Sequence, residues 1–206
     1  MTVNLLKVRT LVLSAVLLSL PVAVHGAGEA QQWKRLRTKH GLTLMSRSVE
    51  GERFPELRIR TTTALPAGRV VAYLMGRYID DADPGFQRRM VERSPQAARW
   101  TDLIRTPLIS DRCATSTSRV SKDGSAGGIE VAFASGDDWP LGKPTAACVP
   151  LRSRGSWTVR PTAGGSELTY TIFADPGGGI PVFLVRGAME DDALDRVRRV
   201  IGEAAK

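Results

Sequence analysis

Histidine is scarce in this sequence, and that limits the catalytic chemistry open to it. Only two of the 206 residues are histidines, His25 and His40. Because His25 falls in an N-terminal segment that we expect to be removed, a Ser-His-Asp or Cys-His relay would have to be built around His40. No Gly-x-Ser-x-Gly sequence occurs, and the glycines fit neither a phosphate loop nor a dinucleotide-binding turn. The sequence therefore offers little to a hydrolase or a nucleotide-binding enzyme.

Cysteine is almost as rare, since the chain contains only Cys113 and Cys148. Two cysteines without histidines nearby in sequence make a poor metal site, so we expect no bound metal. In an exported chain the pair predicts a disulfide, which would stabilise the fold by roughly 3–4 kcal/mol in the chain-entropy model. The alternative is two small buried apolar side chains on separate strands.

No apolar run is long enough for a comfortable membrane span. Lys7 and Arg9 precede the apolar run 11–20, and Pro21 and small residues follow as far as Gly26, which is the layout of a secretory signal peptide. We therefore predict a signal peptide at 1–26, one domain at 27–206 and export to the periplasm or the medium. An uncleaved N-terminal anchor is the alternative.

The charge is basic but dispersed. The whole chain carries a formal net charge of +8, and its arginines are spread over many segments rather than collected in one tract. This distribution argues against a nucleic-acid partner. It allows transient contact with an anionic membrane surface, although a solvated basic surface explains the same charges.

The hydrophobic pattern predicts an α+β fold dominated by antiparallel strands. Alternating segments predict strands at 42–44, 58–63, 87–92, 97–105, 112–120, 129–134, 151–160 and 167–173. Pro66 suits the first turn of a helix that carries Val70 and Leu74 on adjoining turns. Such a sheet has to curl to cover one long final helix.

The C-terminal forty residues organise the rest of the chain. A predicted strand ends near Phe173, the glycines at 177–179 follow, and Pro181 begins a helix that extends to about Ala204. Apolar residues recur along this helix at spacings of three and four, so one stripe faces something apolar. A helix hung on a glycine hinge can either clamp the sheet permanently or act as a movable cover.

Several segments together resemble the START (StAR-related lipid-transfer) domain family. Residues 155–161, 168–170 and 175–185 are similar to its C-terminal half, 106–112 to its Pro-x-x-x-Asp-Arg-Asp signature, and 33–47 to its first helix and strand. The resemblance implies a helix-grip fold, in which a curved antiparallel sheet wraps around a long C-terminal helix. Cys113 and Arg186 depart from the family pattern at positions near the cavity or its lid.

A helix-grip fold implies a cavity between the sheet and the last helix. The apolar candidates for its lining are Ile59, Trp100, Ile109, Val131, Phe133, Trp157, Tyr170, Ile172, Phe183, Met189 and Leu194. The candidate lid hinge is formed by Gly177, Gly178, Gly179 and Pro181. Arg112 joins the ligand-binding set if it faces inward, because an arginine in an apolar interior needs a carboxylate or the polar head of a ligand. The alternative is an ion pair at the surface end of the strand.

The sequence is compatible with three functions. The first is non-catalytic binding or transfer of a lipid or other hydrophobic small molecule, without a cofactor, in a cavity gated by the C-terminal helix. The second is an aromatase or cyclase acting in a similar pocket, for which Asp111, Arg112 and Tyr170 are the available acid-base groups. The third is a non-catalytic interaction module with a solid core.

Overall fold

The structure is a computed structural model that describes residues 32–80, 85–105, 110–124, 127–136, 138–140, 142 and 147–206. The predicted signal segment at 1–26 lies outside the described residues. None of the described helices is long and apolar enough to cross a membrane.

The described residues form ten strands and three helices. The strands are β1 (Lys34–Lys39), β2 (Leu42–Arg47), β3 (Glu56–Thr63), β4 (Phe86–Arg93), β5 (Ala97–Ile104), β6 (Arg112–Lys122), β7 (Ile129–Gly136), β8 (Val149–Pro150), β9 (Arg152–Thr162) and β10 (Gly165–Asp175). The helices are α1 (Ala67–Met75), α2 (Arg77–Asp80) and α3 (Val182–Ala204). Nine strands form one curved antiparallel sheet in the order β1-β2-β3-β10-β9-β7-β6-β5-β4, and β8 pairs with β6 in parallel.

The strands follow the alternation of the sequence. In β10, Leu168 and Tyr170 are buried while Glu167 and Thr169 are only partly so, which is the period-2 pattern of a sheet with one covered face. Every predicted strand is present, and most extend one or two residues further than predicted. The strands predicted at 42–44 and 58–63 pair with each other, with Leu44 opposite Ile59.

The expectation of a first helix within 33–47 is wrong. Residues Lys34–Lys39 form the edge strand β1, which pairs with β2 in an antiparallel hairpin. His40 and Gly41 make the turn, with φ angles of 50° and 76°. Positive φ at two consecutive residues is the geometry of a tight hairpin turn. The chain therefore reverses here, and β1 pairs with the edge of β2.

The core lies where α1 and the second half of α3 cover the sheet. α1 begins directly after Pro66, as predicted, and buries Val70 and Leu74. The buried residues of α3 are Ala193, Leu194, Val197, Val200 and Ala204, all in its C-terminal half. No residue of α3 before Ala193 is buried. The C-terminal half of α3 is therefore anchored in the core, whereas its N-terminal half buries none of its side chains.

Candidate functional site

A pocket of about 490 Å³ lies between the curved sheet and α3. One side is built from residues of β5, β6, β7, β9 and β10, and the roof is built from α3 between Val185 and Arg199. Leu74 of α1 and two residues of α2, Tyr78 and Ile79, close one end. The volume is in the usual range for ligand pockets, about 300–1,000 Å³.

Eight of the twelve predicted ligand-binding residues line this pocket. They are Trp100, Arg112, Val131, Phe133, Trp157, Tyr170, Ile172 and Met189. Ile59 and Leu194 do not line it, because they pack into the core beneath the anchored half of α3. Phe183 points to solvent and is 80% exposed, while Ile109 lies outside the described residues.

Aromatic rings form the wall under the roof. The rings of Trp157 and Tyr170 are stacked with centroids 4.1 Å apart, and those of Phe133 and Tyr170 lie 6.0 Å apart at 26°. Tyr78 meets the edge of Trp157 at 6.0 Å and 79°. Rings that brace one another in this way give a rigid apolar surface to a ligand.

Arg112 faces inward, so the alternative of an ion pair at the strand surface is wrong. Successive residues of a strand point to opposite faces, and the two neighbours separate accordingly. Asp111 accepts a hydrogen bond from Arg105 at 2.6 Å, while the Arg112 residue is only 5% exposed and lines the pocket. The Nε of Arg112 donates to the Pro176 carbonyl at 2.6 Å, and one Nη donates to the carbonyl of Ser110.

The glycine loop beside Arg112 has the backbone that only glycine adopts readily. Gly177, Gly178 and Gly179 have φ angles of +66°, +69° and +70°. The Gly177 N–H donates to Asp175 Oδ1 at 2.8 Å, and Arg152 donates to the same carboxylate at 3.1 Å. Burial alone would raise the pKa of Asp175, but these two contacts outweigh burial and hold that pKa below its ordinary value. The start of the loop is thus fixed, and Pro181 stands at the position directly before α3.

A disulfide ties this end of the pocket together. The structure pairs Cys113 with Cys148, with their Cα atoms 5.8 Å apart. Cys113 follows Arg112 directly, and β8, which follows Cys148, pairs with the start of β6. A Cβ atom added at Gly177 would lie 2.8 Å from the Pro150 carbonyl oxygen. The glycine loop therefore rests directly on a segment that the disulfide holds.

The comparisons decide the fold. No family model matches the chain, and no curated protein matches it. Among solved structures, a STAR-related lipid transfer protein from Xanthomonas axonopodis superposes with a TM-score of 0.71 at 23% identity, covering 84% of this chain and 99% of that one. Human STARD10 gives a TM-score of 0.71 at 18% identity over 84% of this chain and 73% of that one. Human StAR-related lipid transfer protein 5 gives 0.68 at 15% identity, over 85% and 87%.

The chain has the START fold. The predicted helix-grip architecture, a curved antiparallel sheet around a long C-terminal helix, is confirmed.

Sequence reasoning missed a polar cluster in the roof of this START-fold pocket. Arg196 donates to the Tyr78 hydroxyl at 3.1 Å and to the Asp192 carboxylate at 3.2 and 3.3 Å. Tyr78, with Tyr170 and Asp192, raises the pKa of Arg196 in spite of the burial of the guanidinium. The four-residue spacing of Asp192 and Arg196 was visible in the sequence, but only the fold shows that the pair lies over the pocket.

A second polar cluster in the START-fold pocket is an ion pair in the β4–β5 wall between the partly buried Arg88 and the buried Asp102. Arg88 donates to the two Asp102 oxygens at 2.7 and 2.9 Å, and Trp100 Nε1 donates to the same carboxylate at 2.9 Å. Arg88 also donates to the Ile79 carbonyl at 2.7 Å, which ties α2 to this wall. The spacing of Trp100 and Asp102, two residues apart on one strand face, was the available signal.

Proposed function

We propose that this domain binds and carries a lipid or another hydrophobic small molecule in the pocket under α3. The observation that carries the proposal is an aromatic-walled space of about 490 Å³ beneath a helix segment that buries none of its own residues. Burial of methylenes contributes about 0.8 kcal/mol each, so one long acyl tail offers on the order of 10 kcal/mol. Two of the similar solved structures are lipid transfer proteins, which supports the same class of ligand.

We further propose that the first half of α3, residues 182–192, acts as a lid over the pocket. The glycines at 177–179 absorb the backbone change of a hinge, while the buried residues from Ala193 onward hold the other half in place. An exposed ion pair, Arg37 with Asp191 at 2.5 Å, joins the lid to β1. Exposed pairs of this kind contribute only about 0–1 kcal/mol, so the tie permits opening.

The two other functions receive less support. An enzyme would need an acid-base group with a pKa near the working pH. Of the three candidate groups Asp111 lies off the pocket, Arg112 is a permanent cation, and burial raises the pKa of Tyr170. A solid-core module would have no space under α3. Export to the periplasm or the medium remains our proposal for the location, and the disulfide is compatible with it.

Membrane contact is part of the same proposal. Phe183 and Leu184 are exposed large apolar residues at the start of the lid, and transient contact with an anionic membrane surface would cover them while the lid opens.

Blocking the pocket tests the carrier proposal. Ala188 lines the pocket from an exposed position of α3, so Ala188→Trp places a large ring in the pocket without removing a core contact. We expect at least a tenfold loss of affinity for a fluorescent fatty acid, together with loss of any lipid that native mass spectrometry finds on the wild-type protein.

Leu184→Trp is the matched control, because Leu184 is exposed on the same helix and does not line the pocket. It should bind the probe as the wild type does. Unchanged binding by Ala188→Trp with normal folding, or a wild-type protein that binds no apolar probe, would refute the carrier proposal.

A further inference from the structure

The arginines in the pocket wall differ in whether a carboxylate neutralises them. Among the residues that the structure describes, the lining contains Arg88, Arg112, Arg196 and Arg199 but only two acidic residues, Asp102 and Asp192. Asp102 forms a two-point ion pair with Arg88, and Asp192 pairs with Arg196 at 3.2 Å. Both carboxylates are thus paired with arginines other than Arg112. The question is then which groups surround the charge of Arg112.

Arg112 is a buried cation whose contacts are neutral. Within the part of the chain that the structure describes, no carboxylate oxygen lies within 4.0 Å of its guanidinium nitrogens. Its acceptors are two backbone carbonyls, those of Pro176 and Ser110. Carbonyl dipoles orient a guanidinium but leave its charge uncompensated, and a buried charge without a counter-charge is strongly unfavourable.

The remaining corner of the Arg112 guanidinium is available to a ligand. Its second Nη donates to no acceptor among the described residues. Every fully buried side-chain nitrogen of the described residues has a hydrogen-bond partner, so this Nη is not fully buried. This nitrogen is therefore accessible, on a residue that lines the pocket. It would lie 3.2 Å from a Cβ at position 178, so the absence of a side chain at Gly178 keeps that approach open.

The pocket is polarised from this corner to the aromatic wall. Arg112, Ala114, Ser116 and Ser118 alternate along β6 and all line the pocket. Ser118 is opposite Phe133, which stacks on Tyr170, so the aromatic wall lies six residues along the strand from Arg112. At about 3.3 Å per residue, that separation is roughly 20 Å. One end of the pocket therefore carries Arg112 without a carboxylate, while the other end carries the aromatic rings, beside which Arg196 is paired with Asp192.

We infer that the pocket takes an amphiphile with one acidic head, whose carboxylate or phosphate binds Arg112 while its apolar tail runs along β6 toward the aromatic wall. This inference rests on the proposed carrier function and narrows its ligand class from hydrophobic molecules to anionic amphiphiles. Arg112 supplies a planar set of N–H donors that suits both head groups, and the neutral carbonyls of Pro176 and Ser110 hold it in place.

Matched ten-carbon probes test the head group. Decanoic acid, decyl phosphate and decanol share one tail, and each displaces the neutral fluorophore N-phenyl-1-naphthylamine from delipidated wild-type protein at pH 8 if it enters the pocket. A charge-assisted hydrogen bond contributes about 1.5–3 kcal/mol, so we expect one or both acids to bind about 10-fold to 100-fold more tightly than decanol. The order of the two acids identifies the carboxylate or the phosphate as the preferred head.

Substitutions at Arg112 separate the effect of its charge from the effect of its hydrogen bonds to the backbone carbonyls. Arg112→Gln keeps an amide donor for the loop carbonyls but removes the charge, and it should lose the preference for acids while its affinity for decanol changes less than threefold. Arg112→Lys keeps the charge and should retain part of the preference. Arg198→Gln is the control, since Arg198 is an exposed arginine of α3 that does not line the pocket, and its preference should match the wild type.

The outcomes distinguish the two levels of the proposal. Equal binding of acids and alcohol by the wild-type protein would overturn the acidic-head inference and leave the carrier function standing, even if Arg112→Gln failed to fold. An acid preference that survives in folded Arg112→Gln would also overturn it. Failure of every probe to bind the wild-type protein would instead overturn the carrier function itself.

Discussion

At the scale of single residues, the pocket is shaped by polar side chains that hydrogen bonds hold in fixed positions. Asp102 accepts from Arg88 and Trp100, Arg196 is held by Tyr78 and Asp192, and Arg112 is held by backbone carbonyls. None of the fully buried side-chain nitrogens and oxygens in the described residues lacks a hydrogen bond. Such groups fix the positions of the side chains around them, since an unpaired buried partner would be costly.

The Asp102 carboxylate provides a residue-scale prediction. Asp102→Asn leaves the partly buried Arg88, whose side chain is 16% exposed, without its counter-charge, and we expect a loss of about 3 kcal/mol in the free energy of unfolding. Urea unfolding followed by circular dichroism measures it. Asp80→Asn is the control, because Asp80 makes an equally short two-point pair with Arg93 in an exposed setting. That loss should stay below about 1 kcal/mol, and equal losses in the two variants would contradict the assigned role of burial.

At the scale of elements, α3 is two structures in one helix. Its sequence stripe runs the full length, but only the part from Ala193 onward meets the core. The earlier part lies over the pocket and presents Phe183 and Leu184 to solvent. A continuous apolar stripe therefore serves two purposes here, anchorage at one end and cover for a cavity at the other.

Hydrogen exchange should resolve the two halves of α3. Segments with few buried contacts open with a smaller free energy than core segments. We expect backbone amides at 185–192 to exchange at least tenfold faster than those at 195–204 in delipidated protein, measured by mass spectrometry of peptic peptides. Bound ligand should slow the first set and leave the second unchanged. Uniform protection along α3 would contradict the lid.

At the scale of the whole molecule, one disulfide fastens the start of β6 to the loop on which the hinge rests. Cys113 and Cys148 are separated by 35 positions, and Leu103 packs with them in a small satellite core. Closing a loop of this length restricts the unfolded chain, and the stabilisation is about 3–4 kcal/mol in the chain-entropy model. The cross-link therefore acts on global stability and on the geometry beside Arg112.

Replacing both cysteines by serine tests this. The double variant should lose about 3–4 kcal/mol of unfolding free energy in urea, and the wild-type protein in excess reductant should approach the same value. Ser121→Ala, a substitution at an exposed residue of β6, should change stability by less than about 0.5 kcal/mol. A double variant as stable as the oxidised wild type would mean that the cross-link contributes nothing at equilibrium.

The sequence by itself determined most of the elements. Alternation located the strands, Pro66 and Pro181 marked the starts of two helices, and three consecutive glycines located the loop before α3. These features are local, because strand period, helix period and proline geometry act within a few neighbouring residues. The exceptions were β1, whose six residues carry little pattern of their own and form a strand through pairing with β2, and the short elements α2 and β8, which no sequence pattern predicted.

Only the tertiary structure decided which apolar residues face empty space. Ile59 and Leu194 pack into the core while Tyr170 and Met189 line the pocket, although all four lie on apolar faces of their elements. The direction of Arg112 and the meeting of Tyr78 with Arg196 were settled in the same way. A cavity is the gap between surfaces brought together from distant parts of the chain, so its lining depends on how α3 sits on the curved sheet, which no local pattern specifies.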